Sequence, residues 1–182
     1  TARPTLPAAT ARPAVTGQAS LRIAGPWDVT FPPNLGAPPS RVFDELVSWT
    51  GIADDGIKYF SGTATYAKEF DVPAAWLAPG SRVVLDLGQL RNVAEATLNG
   101  QPLGIRWKPP FSYDVSGVVR PGKNRLEVKT TNVWANRLAG DARLPRDKRI
   151  TRVTQKVGFA GPQEAGLFGP VQLRLVAELP TQ

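Results

Sequence analysis

The stretch Ala94-Glu95-Ala96-Thr97-Leu98-Asn99-Gly100 decides the fold class of this chain. Its apolar residues alternate with Glu95 and Thr97, and a period of two places like side chains on one face of a β-strand. The Asn99-Gly100 pair that follows is typical of a type I′ hairpin turn, because both central residues of that turn need a positive φ. The stretch therefore predicts an antiparallel hairpin with one buried face.

The same alternation recurs along the chain, at residues 63–70, 83–87, 124–130 and 171–175. Glycine (17) and proline (18) together make up nearly a fifth of the 182 residues, which suits many short strands joined by turns. Helical patterns are scarce, and only residues 42–49 and 73–77 are expected to form a helical turn or two. These patterns predict an all-β protein, an antiparallel β-sandwich.

The domain organisation follows from composition. Residues 1–19 are rich in Thr, Ala and Pro and predict a linker or extended arm, and residues 20–182 predict one β-sandwich domain. A long loop is expected at about 134–166, and such loops are usually functional or packed against something. The lack of any methionine, even at position 1, predicts a processed chain or an excised piece.

The residue types that are absent exclude several kinds of chemistry. The chain has no cysteine and no histidine, so disulfides, thiolate or histidine metal sites and Ser-His or Cys-His nucleophiles are excluded. No run approaches the roughly 20 apolar residues that cross a bilayer, so no membrane span is expected.

The net charge of +7 comes from two segments. Residues 1–19 carry two arginines and no acid, and residues 143–156 carry six basic residues against one acid. The second segment, named here the basic segment, lacks the interleaved aromatic residues of a single-strand binder, so we expect no nucleic-acid partner. It is interpreted as a solvated loop, or as a contact with an acidic partner domain or a uronate-bearing polysaccharide.

The segment Asn132–Asp141 is the first candidate site. Aromatic rings, amides, guanidinium groups and carboxylates are what proteins use to hold hydroxyl-rich ligands. Trp49 and Asn132 are weaker candidates. The candidate ligand-binding residues are Trp107, Trp134, Asn136, Arg137 and Asp141.

A structural interpretation of the same segment is favoured. Trp134 would then fill the space under the long loop, while Arg137 pairs with Asp141 or caps backbone carbonyls. Contact with a neighbouring domain is a third alternative. For Trp107 to Phe111, an edge closed by aromatic packing is favoured over a site, because Pro109 and Pro110 cannot donate ladder hydrogen bonds.

Four motifs occur in an order that resembles a known family: Tyr59-Phe60-Ser61-Gly62-Thr63-Ala64-Thr65-Tyr66, Val84-Leu85-Asp86-Leu87-Gly88, Ala96-Thr97-Leu98-Asn99-Gly100 and Leu103-Gly104-Ile105-Arg106-Trp107-Lys108-Pro109-Pro110-Phe111. They resemble the galactose-binding-like jelly roll, the sugar-binding domain of family 2-type glycoside hydrolases. Residues 121–128, 132–141 and 166–171 narrow the resemblance to the C-terminal β-sandwich of family 106 α-L-rhamnosidases. The resemblance covers about residues 20–178.

The resemblance implies a jelly-roll accessory domain of a larger, α-L-rhamnosidase-like glycoside hydrolase whose catalysis sits on a separate barrel domain. The implied partners are a glycan or polysaccharide and the catalytic domain of the same parent chain. The alternative is a purely structural domain that braces that catalytic domain and has no glycan ligand. A bacterial periplasmic or secreted location is favoured.

No catalytic residue is assigned. Hydrolysis needs two carboxylates about 5–5.5 Å apart for retention or about 6.5–9.5 Å for inversion, and no pair in the sequence is expected to converge. No cofactor is expected. Jelly-roll sugar modules often carry a structural calcium, for which Asp54, Asp55 and Asp141 are candidate ligands, and no calcium site is assigned.

Overall fold

The computed structural model describes residues 18–78, 80–153 and 161–177. The described part contains twelve strands: β1 (Gln18–Arg22), β2 (Trp27–Thr30), β3 (Ser40–Phe43), β4 (Thr63–Val72), β5 (Ser81–Asp86), β6 (Gln89–Arg91), β7 (Val93–Leu98), β8 (Gln101–Arg106), β9 (Ser112–Asp114), β10 (Gly122–Thr131), β11 (Gly166–Gly169) and β12 (Gln172–Ala177). Two short α-helices are α1 (Asp55–Lys58) and α2 (Ala135–Asp141). Short 3₁₀ helices span Trp49–Gly51, Ala74–Leu77 and Arg146–Lys148.

The strands form two main antiparallel sheets and one small one. A four-stranded sheet has the order β1-β12-β5-β9, and a six-stranded sheet has the order β3-β2-β4-β10-β7-β8. Strands β11 and β6 pair beside them. The prediction of an all-β antiparallel sandwich is confirmed.

The core lies between the two sheets and follows the alternation in the sequence. In β10, Leu126 and Val128 are fully buried, Glu127 between them is half-buried, and Arg125 and Lys129 on either side are exposed. Across the sandwich, Leu85 of β5 belongs to the same buried cluster. Each such leucine stabilises the fold by about 1.5–3 kcal/mol through its burial.

The predicted hairpin is present. Residues Leu98 and Gln101 pair across the turn, and Asn99 and Gly100 have φ of 52° and 80°. Asn99 also ties the turn to β10, because its side-chain oxygen accepts a hydrogen bond from the Arg125 N–H at 3.0 Å. The hairpin is therefore linked by a hydrogen bond to the strand that pairs with it.

Two expectations need correction at their boundaries. Residues 42–48 contain no helix: Phe43 ends β3, where it pairs with Trp27, and the first 3₁₀ helix begins at Trp49, the last residue of the stretch 42–49. The pairing with β2 buries Phe43 at 3% exposure, which outweighs a weak local helical pattern. Strand β1 begins at Gln18, two residues before the predicted start of the domain at residue 20, and residues 1–17 lie outside the described part.

A buried polar cluster joins three segments that are far apart in the sequence. Trp49 Nε1 donates to the Tyr66 hydroxyl at 2.6 Å, and the Leu167 N–H donates to the same oxygen at 3.2 Å. Burial raises the pKa of Tyr66 to about 12, so the hydroxyl stays neutral across the physiological range. One oxygen therefore satisfies two buried donors from segments far apart in sequence.

We expect Tyr66→Phe to lower the free energy of unfolding by about 2–4 kcal/mol, because it leaves two buried N–H donors without an acceptor. Urea unfolding followed by fluorescence measures the loss. The matched control is Tyr113→Phe, since the Tyr113 hydroxyl makes one long hydrogen bond, to the Ala94 carbonyl at 3.4 Å. Equal losses in the two variants would contradict this account of the cluster.

Candidate functional site

The segment Asn132–Asp141 leaves β10 and becomes helix α2. Trp134 occupies the N-cap position with φ −65° and ψ −9°, and its side chain makes no capping hydrogen bond. Among the helix residues, Asn136, Arg137 and Asp141 are buried. A helix that buries polar side chains must find partners for them inside the protein.

The start of this segment is tied to the start of β4. The Asn132 side-chain oxygen accepts from the Gly62 N–H at 2.9 Å, and its Nδ2 donates to the Phe60 carbonyl at 2.9 Å. Ser61 Oγ accepts from the Arg137 N–H, also at 2.9 Å. These bonds fix where α2 begins relative to the six-stranded sheet.

Two polar side chains of α2 hold the long loop. Asn136 makes a paired contact with the backbone of Gln163, accepting from its N–H at 2.7 Å and donating to its carbonyl at 2.8 Å. Asp141 accepts from the Ile150 N–H at 3.2 Å, and from the N–H and hydroxyl of Thr151, both at 2.6 Å. The loop is therefore anchored on both sides of residues 154–160.

Arg137 and Asp141 form a buried ion pair, with 3.0 Å between Nε and Oδ1 and side chains only 6% and 4% exposed. The Nε–H does not point along this line, so the contact is ionic without being a well-directed hydrogen bond. Burial acts to raise the pKa of Asp141, but hydrogen bonds from Thr151 and Ile150, with the charge of Arg137, hold that pKa below its usual 3.8. Asp141 is therefore ionised at neutral pH.

Trp134 does not fill the space under the loop, which corrects the interpretation favoured from the sequence. Its side chain is 59% exposed, because the interior beside α2 is occupied by Asn136, Arg137 and Asp141. Trp107 is 71% exposed, and in its segment only Phe111 packs into the core.

The two exposed tryptophans lie at the same end of the six-stranded sheet. Strands β10 and β8 run in the same direction on either side of β7, where Thr131 pairs with Val93 and Arg106 pairs with Ala94. Neighbouring strands lie about 4.8 Å apart, so the ends of β10 and β8 are about 10 Å apart. The exposed apolar side chains here, named the tryptophan end, are Ile105, Trp107, Val133 and Trp134.

The remaining candidate residues have structural roles. Trp49 is fully buried. Asp54 caps α1 by accepting from the Gly56 and Ile57 N–H groups at 2.8 and 3.3 Å. Within residues 18–78, 80–153 and 161–177, no group of three or more acidic side chains could hold a metal ion. Neither α-helix of that part is long and apolar enough to cross a membrane.

The structure also shows a cavity that the sequence did not reveal. It has a volume of about 220 Å³ and lies beside α2, lined in part by Tyr59, Arg137 and Arg143. Arg143 Nη1 donates to the Tyr59 hydroxyl at 2.8 Å. Arg137 and Arg143 belong to two segments singled out from the sequence. The sequence did not indicate that Gly36 and Gly56 also line this cavity.

Comparison with known proteins places this sandwich in a family. Residues 35–162 match the model of the glycosyl hydrolase 2 galactose-binding domain-like family. The chain belongs to this family. The relationship covers most of the six-stranded sheet together with α2 and the tryptophan end.

Similar proteins of this family are much longer. The chain is 50% identical over 127 residues to a putative β-glucuronidase of Formosa agariphila, which is 70% of this chain and 11% of that protein. The structure of a rhamnosidase from Novosphingobium sp. PP1Y matches with a TM-score of 0.82 and 34% identity, over 91% of this chain and 16% of that one. A β-glucuronidase from an uncultured Clostridium species matches with a TM-score of 0.67 at 21% identity, over 93% of this chain and 31% of that one, and shows the shared fold.

We expect Asp141→Asn to destabilise the protein by about 3–5 kcal/mol at neutral pH, because it leaves the Arg137 charge buried without a counterion. Since the folded pKa is lowered, this contribution is present above the unfolded pKa near 3.8 and is lost as the pH falls through the folded pKa. Urea unfolding at pH 7 and pH 3 measures both effects.

The control for this prediction is Asp147→Asn, which removes a carboxylate whose pair with Lys148 spans 3.9 Å and is more than 70% exposed on both sides. Its stability should stay close to that of the unmodified chain, as for most surface substitutions. A difference between Asp141→Asn and the unmodified chain that stays constant from pH 7 to pH 3 would contradict the assigned role.

Proposed function

We propose that this chain is a noncatalytic, carbohydrate-binding-like accessory domain of a larger glycoside hydrolase, and that the parent is α-L-rhamnosidase-like. The share of its relatives that it spans supports an accessory role. It covers 11% of the putative β-glucuronidase and 16% of the rhamnosidase chain. Most of each relative therefore lies outside the matched region.

Structural similarity supports the rhamnosidase-like parent. The rhamnosidase structure matches with a TM-score of 0.82 at 34% identity, whereas the uncultured Clostridium β-glucuronidase matches with a TM-score of 0.67 at 21% identity over a similar share of the chain. The motifs at residues 121–128, 132–141 and 166–171 also resemble rhamnosidases. We therefore favour a rhamnosidase-like parent.

The observation that carries the binding proposal is the tryptophan end. Trp107 and Trp134 present rings at the same end of one sheet, and aromatic rings with one exposed face are suited to the apolar faces of sugars. The amides of Asn132 and Asn136 are already bonded within the protein. A glycan held here would depend mainly on stacking, so its binding would be weak.

The second candidate is a purely structural domain that braces the catalytic domain of the same parent chain. The same surface favours it, because Ile105 and Val133 extend the two rings into an exposed apolar patch. Aromatic residues are enriched in protein–protein interfaces. Packing of these rings against another domain would not require free side-chain amides nearby. The two candidates differ in whether the isolated chain binds sugar.

We expect rhamnose- or galactose-containing oligosaccharides to bind the 182-residue chain weakly but saturably. Trp134→Ala should weaken that binding about three- to tenfold by removing the stacking surface. Because Trp134 is exposed, the variant should unfold at nearly the same urea concentration as the unmodified chain. Titration calorimetry and urea unfolding measure the two quantities.

Two further variants make this experiment specific. Trp134→Phe keeps an aromatic face and should retain part of the binding. Val42→Ala, on the opposite edge strand β3 at 55% exposure, should leave binding unchanged. If no oligosaccharide binds the unmodified chain, the bracing role stands in place of the binding role.

A further inference from the structure

The cavity beside α2 has a buried cation as its floor. Arg137 is 5% exposed, its Nε lies against Asp141, and no described residue accepts a hydrogen bond from its Nη1 or Nη2. A guanidinium group carries five donors. Of the Arg137 nitrogens, Nε is the one that is buried without a hydrogen-bond acceptor, and it faces Asp141. Nη1 and Nη2 are therefore the atoms that an acceptor entering the cavity would meet.

Glycines make room for this guanidinium beside the cavity. A Cβ on Gly36 would lie 2.9 Å from Arg137 Nη1, and a Cβ on Gly140 would lie 2.4 Å from Nη2. At Gly56, a Cβ would lie 2.2 Å from the Gly36 carbonyl oxygen. Any larger residue at these positions would displace the guanidinium or close the wall of the cavity.

A second cation stands at the rim. The Arg143 guanidinium lies 5.3 Å from the centre of the Tyr59 ring and is held there by its hydrogen bond to the Tyr59 hydroxyl. Lys58 lies over the same ring at 5.7 Å. The acids here are the exposed Asp55 on the cavity wall and Asp141, the ion-pair partner of Arg137. The three cations therefore outnumber the two acids.

We infer that this cavity binds one oxyanion group of an acidic saccharide, a uronic-acid carboxylate or a sulfate ester, between Arg137 and Arg143. The planar fork of a guanidinium matches two oxygens of such a group. A volume of about 220 Å³ suits one charged group with part of a sugar ring. The inference rests on the proposed function, since it names the class of glycan that the domain takes.

The cavity lies close enough to the tryptophan end for one ligand to contact both. Trp134 caps α2 and Arg137 lies three residues further on, which is about 5 Å along the helix axis. The remaining cations of the basic segment would raise the local concentration of an anionic chain. One acidic oligosaccharide could therefore contact Trp134 and place its charge in the cavity.

The test is a titration of the ¹⁵N-labelled 182-residue chain, with the amides of Gly36, Gly56 and Gly140 as reporters. The probes are the methyl glycoside of glucuronic acid, methyl glucoside 6-sulfate, neutral methyl glucoside, sodium acetate and sodium sulfate. We expect saturable shifts of the three glycine amides with one or both acidic sugars, and none with the neutral one. The two acidic sugars distinguish a carboxylate from a sulfate ester.

Arg143→Gln should weaken binding of the acidic sugar about tenfold, because it removes a charge-assisted contact at the rim. The matched control is Arg146→Gln, which removes an exposed charge of the same segment outside the cavity and should change affinity less than about twofold. Arg137→Lys keeps the charge beside Asp141 but loses the planar guanidinium fork, so it should weaken binding of the acidic sugar. Urea unfolding of this variant reports whether the fold is intact.

Four results would overturn the inference. Equal losses in Arg143→Gln and Arg146→Gln would show diffuse charge attraction, and acetate or sulfate binding as tightly as the sugars would mean an adventitious ion only. Shifts confined to the tryptophan end would remove the cavity from the binding surface while leaving the proposed function in place. If none of these probes shifts any amide, the inference falls, while the glycan-binding function is decided separately by the titration with rhamnose- or galactose-containing oligosaccharides.

Discussion

The buried ion pair between Arg137 and Asp141 is the contact on which this end of the molecule depends. Taking two charges out of water costs several kcal/mol for each ion, and their attraction offsets that cost only when further hydrogen bonds satisfy them. Asp141 receives those bonds from the backbone of Ile150 and Thr151. The pair is therefore stable only when the long loop is in place, and the loop is held in place by the pair.

This mutual dependence explains how a seven-residue helix can be part of the site. A helix as short as α2 is marginal in water by itself, so its position must come from tertiary contacts. Asn132, just before the helix, bonds the backbone ahead of β4, and Ser61 accepts a bond from the first turn of the helix. Asn136 and Asp141 bond the loop. Because the polar side chains point to the interior, Trp134 at the start of the helix is left at the surface.

The fold was largely predictable from the sequence, because its signals are local. The Asn99-Gly100 turn needs two positive φ values, and the alternation in β7 and β10 needs only one buried face. The prediction of a helical turn at residues 42–49 was wrong, because the pairing of Phe43 with Trp27 outweighs the local helical pattern. A strand pairing between distant segments cannot be read from either segment alone.

The candidate site was predictable only in part, for the same reason. The pairing of Arg137 with Asp141 was one of the alternatives drawn from the sequence, but helix α2 was not predicted, because residues 134–166 were expected to form a loop. In the structure, a spacing of four on that helix places both side chains on one face. Whether Trp134 is buried depends on how α2 docks, and a tryptophan after a strand is more often in the core. The cavity is harder still, because Gly36, Gly56 and Gly140 come from three separate segments and become neighbours only in the fold.

Because the Asn132 and Asn136 amides bond within the protein, such a domain has few groups with which to distinguish one sugar from another. Strong selection among neutral sugars requires buried hydrogen-bonding groups that the wrong hydroxyl pattern leaves unpaired. Here the Asn132 and Asn136 amides each donate one bond and accept one bond inside the protein, while Nη1 and Nη2 of Arg137 donate to no residue in the described part of the chain. A glycan contact built from rings and guanidinium groups would distinguish charged from neutral saccharides far better than one neutral epimer from another. Selection of a particular linkage or hydroxyl configuration would then fall to other parts of the parent protein.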